Sequence, residues 1–314
     1  MISQTPSEGP VLVIGSAGID LVGRASRPLQ PGTSNPGRLR ISHGGVARNV
    51  AENLTRLGTE AMLMSAMGDD AQGTQLLDRL RSAGVNVEHV LTVPGAATGA
   101  YLAVLEQDGG LHLGLDDMGV VAALTPDYLR ERTDLFRQAA LVFLDANLAP
   151  PTLAVAVQLA RRHRVPVAAD PTSASLAGNL APHLEHLWLI APNEAEAAVL
   201  CPLEVRHANV SQALAAARHL VSLGVDIAMV TMAEFGVGYA SAEGSGHLPA
   251  LRTEVVDPTG AGDALTAAAL FALLNGIPLD EAVRLGLSAA ALTLRTLGTV
   301  APDLSLELLY DQLR

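Results

Sequence analysis

The chain has 314 residues, 49% of them apolar, and a net charge of −12. That is enough for one large α/β domain with a sizeable core, and without a strongly basic stretch it argues against a nucleic-acid polymer as partner. All 20 basic residues are arginine, which excludes the lysine of a Walker A loop, of a protein-kinase strand and of a Schiff base.

Cys201 is the sole cysteine, so no intrachain disulfide forms. The opening MISQTPSEGP has neither the charged nor the apolar region of a signal peptide. The apolar run near Leu265 to Leu274 is far shorter than the ~20 residues of a membrane span. The expectation is a cytoplasmic protein with no membrane contact.

In chain order, Val11 to Gly15 is a short apolar run ending in glycine, a buried parallel strand. From Val46 to Gly58 the pattern is helical: Val46, Val50, Leu54 and Leu57 share a face, and Gly58 stands at the C-terminal cap. A second apolar run, Ala61 to Met67, leads through Gly68-Asp69-Asp70 into a helix reaching about Ser82. Strand-like runs follow at Ala140–Asp145, Val165–Asp170, His186–Ala191 and Asp226–Thr231. Helical patterns separate them at about Pro151–His163, Asn193–Leu200 and Val210–Leu223. The last third is helical, from Gly260 to Asn275 and from Leu279 to Leu297. Such alternation predicts a three-layer α/β fold with a mostly parallel sheet. Two stretches break it, at about 21–42 and 98–119, and have no room for crossover helices. They predict a small β-rich lid over the C-terminal edge of the sheet, within a single domain spanning 1–314.

Three segments carry chemistry. In Asp257-Pro-Thr-Gly-Ala-Gly-Asp263, small residues lead straight into a helix. Gly260, Ala261 and Gly262 let backbone N–H groups approach an anion at the positive helix end. Asp263 beside them can accept a hydroxyl proton, or it can simply answer the helix dipole. Gly44-Gly45-Val46-Ala47-Arg48-Asn49 is a second glycine-led helix start. Its Asn49 suits a sugar diol, or an ordinary solvent-facing position. Gly15-Ser-Ala-Gly-Ile-Asp20 follows a strand, but its glycines miss the dinucleotide-binding spacing. Asp20 is then a hydroxyl acceptor or a turn residue.

Gly44 to Gly68 and Asp257 to Leu270 resemble the two signatures of the ribokinase-like, PfkB-type carbohydrate kinases. Asp20 and Asn193-Glu-Ala-Glu196 also resemble family elements, in the family's order. The likeness covers nearly the whole chain. A narrower one points to the pseudouridine kinases within the family. It rests on Ser34 to Arg40, Arg48 before Asn49, Asp116-Asp117-Met118, Asp145-Ala-Asn147 and Pro302 to Ser305.

The resemblance implies ATP-dependent phosphorylation of the 5′-hydroxyl of pseudouridine, with Asp263 as base and Gly260, Ala261 and Gly262 as the anion hole. It implies substrate contacts from Asp20, Gly44, Gly45, Arg48, Asn49, Thr98, Asp116, Asp117 and Asn147. Asn193, Thr231, Gly236, Gly260 and Gly262 would meet ATP. Asn193 and Glu196 would hold Mg²⁺ through water, and Asp257 and Thr259 a monovalent cation such as K⁺. Lids of this family pair across a two-fold axis, which implies a homodimer. A ribokinase, another sugar or nucleoside kinase, or a silent ligand-sensing relative stay open. Gly18 stands where relatives carry Asn, and Ala233 where a Gly often follows the nucleotide-strand Thr.

Overall fold

The structure, a computed structural model, describes residues 9–202, 207 and 209–314. The opening segment read for a targeting signal lies outside them up to residue 8. The chain first runs β1 (Val11–Ile14), β2 (Gly18–Ala25), β3 (Gly37–Gly44), α1 (Val46–Arg56), β4 (Ala61–Met64), β5 (Ala66–Gly68) and α2 (Ala71–Ser82). Next come β6 (Leu91–Val93), β7 (Gly99–Leu105), β8 (Leu111–Asp117), α3 (Pro126–Arg130), α4 (Thr133–Gln138), β9 (Leu141–Asp145), α5 (Pro150–His163) and β10 (Val167–Asp170). Then follow β11 (Leu189–Ile190), α6 (Glu194–Leu200), α7 (Val210–Ser222), β12 (Ile227–Thr231), β13 (Val237–Ser241) and β14 (Gly244–Leu248). The chain closes with α8 (Ala261–Leu274), α9 (Leu279–Leu294) and α10 (Leu306–Asp311).

The main sheet has the order β14-β13-β12-β11-β10-β9-β1-β4. From β12 to β4 it is parallel, and β13 and β14 close one edge antiparallel. Side-chain alternation sorts its residues into two layers. Val11, Val13, Leu141 and Phe143 pack with α1, α2, α8 and α9. Leu12, Ile14, Val142 and Leu144 pack with α3 to α7. Burial on both faces explains why these strands are continuous apolar runs.

This is the three-layer α/β arrangement expected from the alternation, in the ribokinase-like form that the resemblance implies. Three local readings differ. The run from Ala61 to Met67 splits at Ser65, whose buried hydroxyl donates to the Gly15 carbonyl at 2.6 Å, and β5 leaves to pair with β6. The run His186–Ala191 keeps only the two residues of β11, because a 3₁₀ stretch holds residues 177–186. The hairpin β13–β14 was not legible, since its glycines, serines and alanines have weak strand preference and the edge of the sheet supplies the order.

A second sheet, β3-β2-β7-β8, is built from the two stretches that broke the alternation. It begins earlier than they suggested, at Gly18. Strand order in the main sheet reverses between β1 and β9, where ligands bind in open α/β sheets. The second sheet springs from the C-terminal end of β1, at that crevice.

Candidate active site

Two helices start at this edge. α1 has Gly45 as its N-cap, with φ +95°. A side chain at Gly44 would overlap the Asp20 carboxylate, and one at Gly45 the backbone of Ser16 and Ala17. The first three amides of α1 already have acceptors. Val46 N–H donates to Ser16 Oγ at 3.1 Å, Ala47 N–H to Asp145 Oδ2 at 3.1 Å, and Arg48 N–H to the Ser16 carbonyl at 3.1 Å. Asp145 is fully buried and also accepts from Ser16 N–H and Oγ–H at 2.7 Å and from Asn147 N–H at 3.0 Å. Burial holds its carboxyl above the usual range against these hydrogen bonds.

α8 begins differently. Gly260 caps it in the left-handed region, φ +82°, with no side-chain cap, and any Cβ there would overlap the backbone of Thr299. Among the described residues, the amides of Gly262 and Asp263 have no protein acceptor, and the space above Gly262 is open. Asp263 sits in this first turn. Its carboxylate accepts from Asn49 Nδ2 at 2.6 Å. Burial pushes its pKa up to about 7, opposed by the Asn49 hydrogen bond and Arg48 and assisted by Asp20 and Asp145. Asn49 Oδ1 is buried without a partner, so this amide can still accept from a ligand hydroxyl.

The second sheet faces this point. Its register sets Ser42, Asp20, Tyr101 and Asp116 side by side across β3, β2, β7 and β8, so they share one face. The Ser42 hydroxyl is buried and unpartnered. Asp20 is buried, and burial lifts its pKa to about 6 against Arg48 and Arg40. Burial, then the charges of Asp20 and Asp116, push the Tyr101 phenol upward, so it stays a proton donor. The opposite face carries exposed Leu39, Ile41, Leu113 and Leu115.

Several expected contacts fall elsewhere. Arg48 is fully buried, and each nitrogen of its guanidinium has a protein acceptor. It donates to the Gly44 carbonyl at 3.1 Å, Glu52 at 2.8 Å, Thr299 Oγ1 at 2.7 Å and the His43 carbonyl. It braces α1 against the 298–299 loop rather than meeting a substrate. Thr98 is engaged by Asp70, at 2.7 Å from both its N–H and its hydroxyl. Asp117 pairs with Ala100, on the face away from Asp20 and Asp116. Gly236 is a packing glycine: a Cβ would overlap the backbone of Leu248 to Ala250. Gly18 cannot carry the relatives' Asn, because a side chain would strike the Gly99 carbonyl.

The other readings converge at the edge. Asn147 Nδ2 donates to Ser16 Oγ at 3.1 Å. Asn193 and Glu196 form a capping box on α6, with bonds of 2.7 to 3.0 Å. Thr231 bridges to Asn193. Asp170, at the end of β10 and opposite Asp145, was missed. Burial and the charges of Asp263 and Glu196 hold it well above the usual carboxylate range. Acids that raise one another's pKa suit a hard dication. A sequence signal existed: two of the apolar runs end in aspartate. Tyr101 and Ser42 carried no signal, since only cross-strand register places them beside Asp20.

Asp257 does not fit a monovalent cation. Its Oδ1 accepts from Thr259 N–H at 3.1 Å and Oγ–H at 2.8 Å, and its Oδ2 from Gly298 N–H at 3.2 Å and Arg40 Nη2 at 2.5 Å.

A sheet-edge crevice with an open helix start and a carboxylate balanced near neutrality is the equipment of a phosphoryl-transfer enzyme. The chain belongs to the pfkB family of carbohydrate kinases, matched over residues 10–305, and is an ATP-dependent kinase. It is 34% identical over 297 residues to the pseudouridine kinase of Escherichia coli (strain K12), covering 94% of each chain. It is 30% identical over 283 residues to the guanosine-inosine kinase of Exiguobacterium acetylicum, covering 90% of this chain and 93% of that one. Its fold matches that of Arabidopsis thaliana ribokinase complexed with ribose and ATP, with a TM-score of 0.84 and 23% identity over 98% of this chain and 99% of that one. Among the described residues no helix is long and apolar enough to cross a membrane.

Proposed function

We propose that this kinase transfers the γ-phosphoryl group of ATP to the 5′-hydroxyl of pseudouridine. The observation carrying the reading is the polar row Ser42–Asp20–Tyr101–Asp116, set across the crevice from Asp263. Asp20 and Asn49, with the backbone at Gly44 and Gly45, hold the ribose hydroxyls. The base lies under the second sheet, beside Tyr101, Asp116 and Asn147. Asp263 takes the 5′-hydroxyl proton as that oxygen bonds to the γ-phosphorus and ADP departs. The open amides of Gly262 and Asp263 meet the charge on the transferred group. Thr231 approaches the phosphates. Asn193, Glu196 and Asp170 would hold Mg²⁺ through its waters, and the ion would supply charge neutralisation on the triphosphate.

The second sheet acts as a lid. Its exposed Leu39, Ile41, Leu113 and Leu115 form a patch that suits a second copy of the chain. A homodimer follows from this reading. The lone buried Cys201 agrees with a cytoplasmic enzyme.

Pseudouridine joins its base through carbon and keeps an extra ring N–H. An acceptor aimed at that N–H rejects uridine, by up to roughly 10⁴-fold in a well-built site. Asp116 is that acceptor. The test is coupled ATP turnover against pseudouridine, uridine, guanosine, ribose and fructose. The expected result is highest kcat/KM for pseudouridine, with the margin over uridine narrowed by Asp116→Ala. Equal use of both pyrimidine nucleosides, or faster use of guanosine or ribose, overturns the substrate and leaves the kinase class standing.

A further inference from the structure

Asp257 lies three residues before the cap of α8 and is 2% exposed. A buried carboxylate left uncompensated is costly, and next to an anion hole it also repels the charge being transferred. Something positive must accompany it. The four donors on its two oxygens take the four acceptor positions that a carboxylate offers. Only one donor is a cation, the Arg40 guanidinium.

Arg40 does not come from the same part of the fold. It sits on β3, two residues before Ser42, and so on the inner face of the second sheet. Its side chain is 29% exposed, with Nε buried, and Nη2 reaches the buried Asp257 carboxylate. Asp20, beside it, is drawn down by Arg40 and pushed up by Asp257, so the three charges are neighbours. The arrangement also reaches the anion hole from behind. Gly298 N–H holds Asp257, and the adjoining Thr299 backbone lies against Gly260.

We infer that Arg40 supplies from the second sheet the fixed positive charge that neutralises Asp257, so that this kinase works without a monovalent cation at the loop leading into α8. The inference concerns the kinase class and does not depend on which acceptor is phosphorylated. Arg40 is a positioning residue in this scheme: it sets the charge and shape of segment 257–260 and touches no reacting atom.

The test compares melting temperature and turnover in potassium, sodium and choline chloride at equal ionic strength, for the wild type, Arg40→Ala and Arg40→Gln. The wild type is expected to melt at the same temperature and turn over at the same rate in all three salts. Arg40→Ala is expected to lose roughly tenfold or more in choline. Potassium should then restore it saturably and raise its melting temperature; a variant that folds only in potassium supports the inference equally. A wild type that melts higher and works faster on potassium titration overturns it. So do Arg40 variants that match the wild type in choline, or that are impaired to the same degree in every salt. The melting readout needs no acceptor, so it decides even if none of the nucleosides tested is a substrate.

Discussion

α1 and α8 start alike and end up doing different things. Both are led by a glycine with positive φ, at the same edge of the sheet, and neither has a side-chain cap of its own. At α1 the protein satisfies the helix: Ser16 and the Asp145 carboxylate take its first three amides. At α8 two amides are left open beside Asp263. A helix N-terminus attracts an anion wherever it points. What separates a closed helix start from one open to a ligand is whether the fold brings its own anion to it.

The strongest way to break this contrast is at Asp263. Asp263→Asn should fold and bind ATP but lose roughly 10²–10⁴-fold in kcat, the range for removing a general base. Near-normal turnover would show that the α8 start is as structural as that of α1. Asp145→Ala attacks the other helix. It strands buried N–H groups of Ser16, Ala47 and Asn147, each costing about 1–3 kcal/mol, so urea unfolding should show a loss of about 3 kcal/mol or more. An unchanged urea midpoint would mean that α1 does not depend on its internal anion.

Gly262→Ala sharpens the difference. The structure leaves open space there, so stability should hold or rise slightly, as for glycine replaced within a helix. The methyl group would fill the place of the transferred group, and kcat should fall by roughly 10–100-fold. Loss of stability without loss of rate would reverse the roles.

The pH profile gives a finer probe. Asp263 acts as a base only when ionised, and its pKa is raised to about 7. The rate should therefore climb as pH rises through about 7, with the low-pH limb set by this group. The Asn49 hydrogen bond lowers that pKa, so Asn49→Ala should move the limb to higher pH, besides weakening acceptor binding. A limb below about pH 5, in the ordinary carboxylate range, contradicts the burial argument.

The smallest effect is expected at Ala233, which has φ +46° where glycine would be at ease. Ala233→Gly should relieve strain and raise stability by about 1 kcal/mol, read as a shift in the urea midpoint. A decrease would mean that chain entropy outweighs the strain.

The sequence by itself determined the layered α/β fold, the two glycine-led helix starts and the place of Asp263 in a helix's first turn. These are local properties: apolar period, glycine placement and a carboxylate in a first turn. It could not tell that Arg48 would be drawn inward and consumed by Gly44, His43, Glu52 and Thr299, because its partners are gathered from β3, from its own helix and from Thr299 near the other end of the chain. Nor could it separate Asp116 from Asp117, since adjacent strand residues point to opposite faces and only pairing fixes which face looks inward. Tyr101, Asp170 and the Arg40–Asp257 pair belong to the same class. Each joins residues far apart in the chain, and burial and register, which the tertiary structure alone decides, turn them from solvated polar side chains into parts of a site.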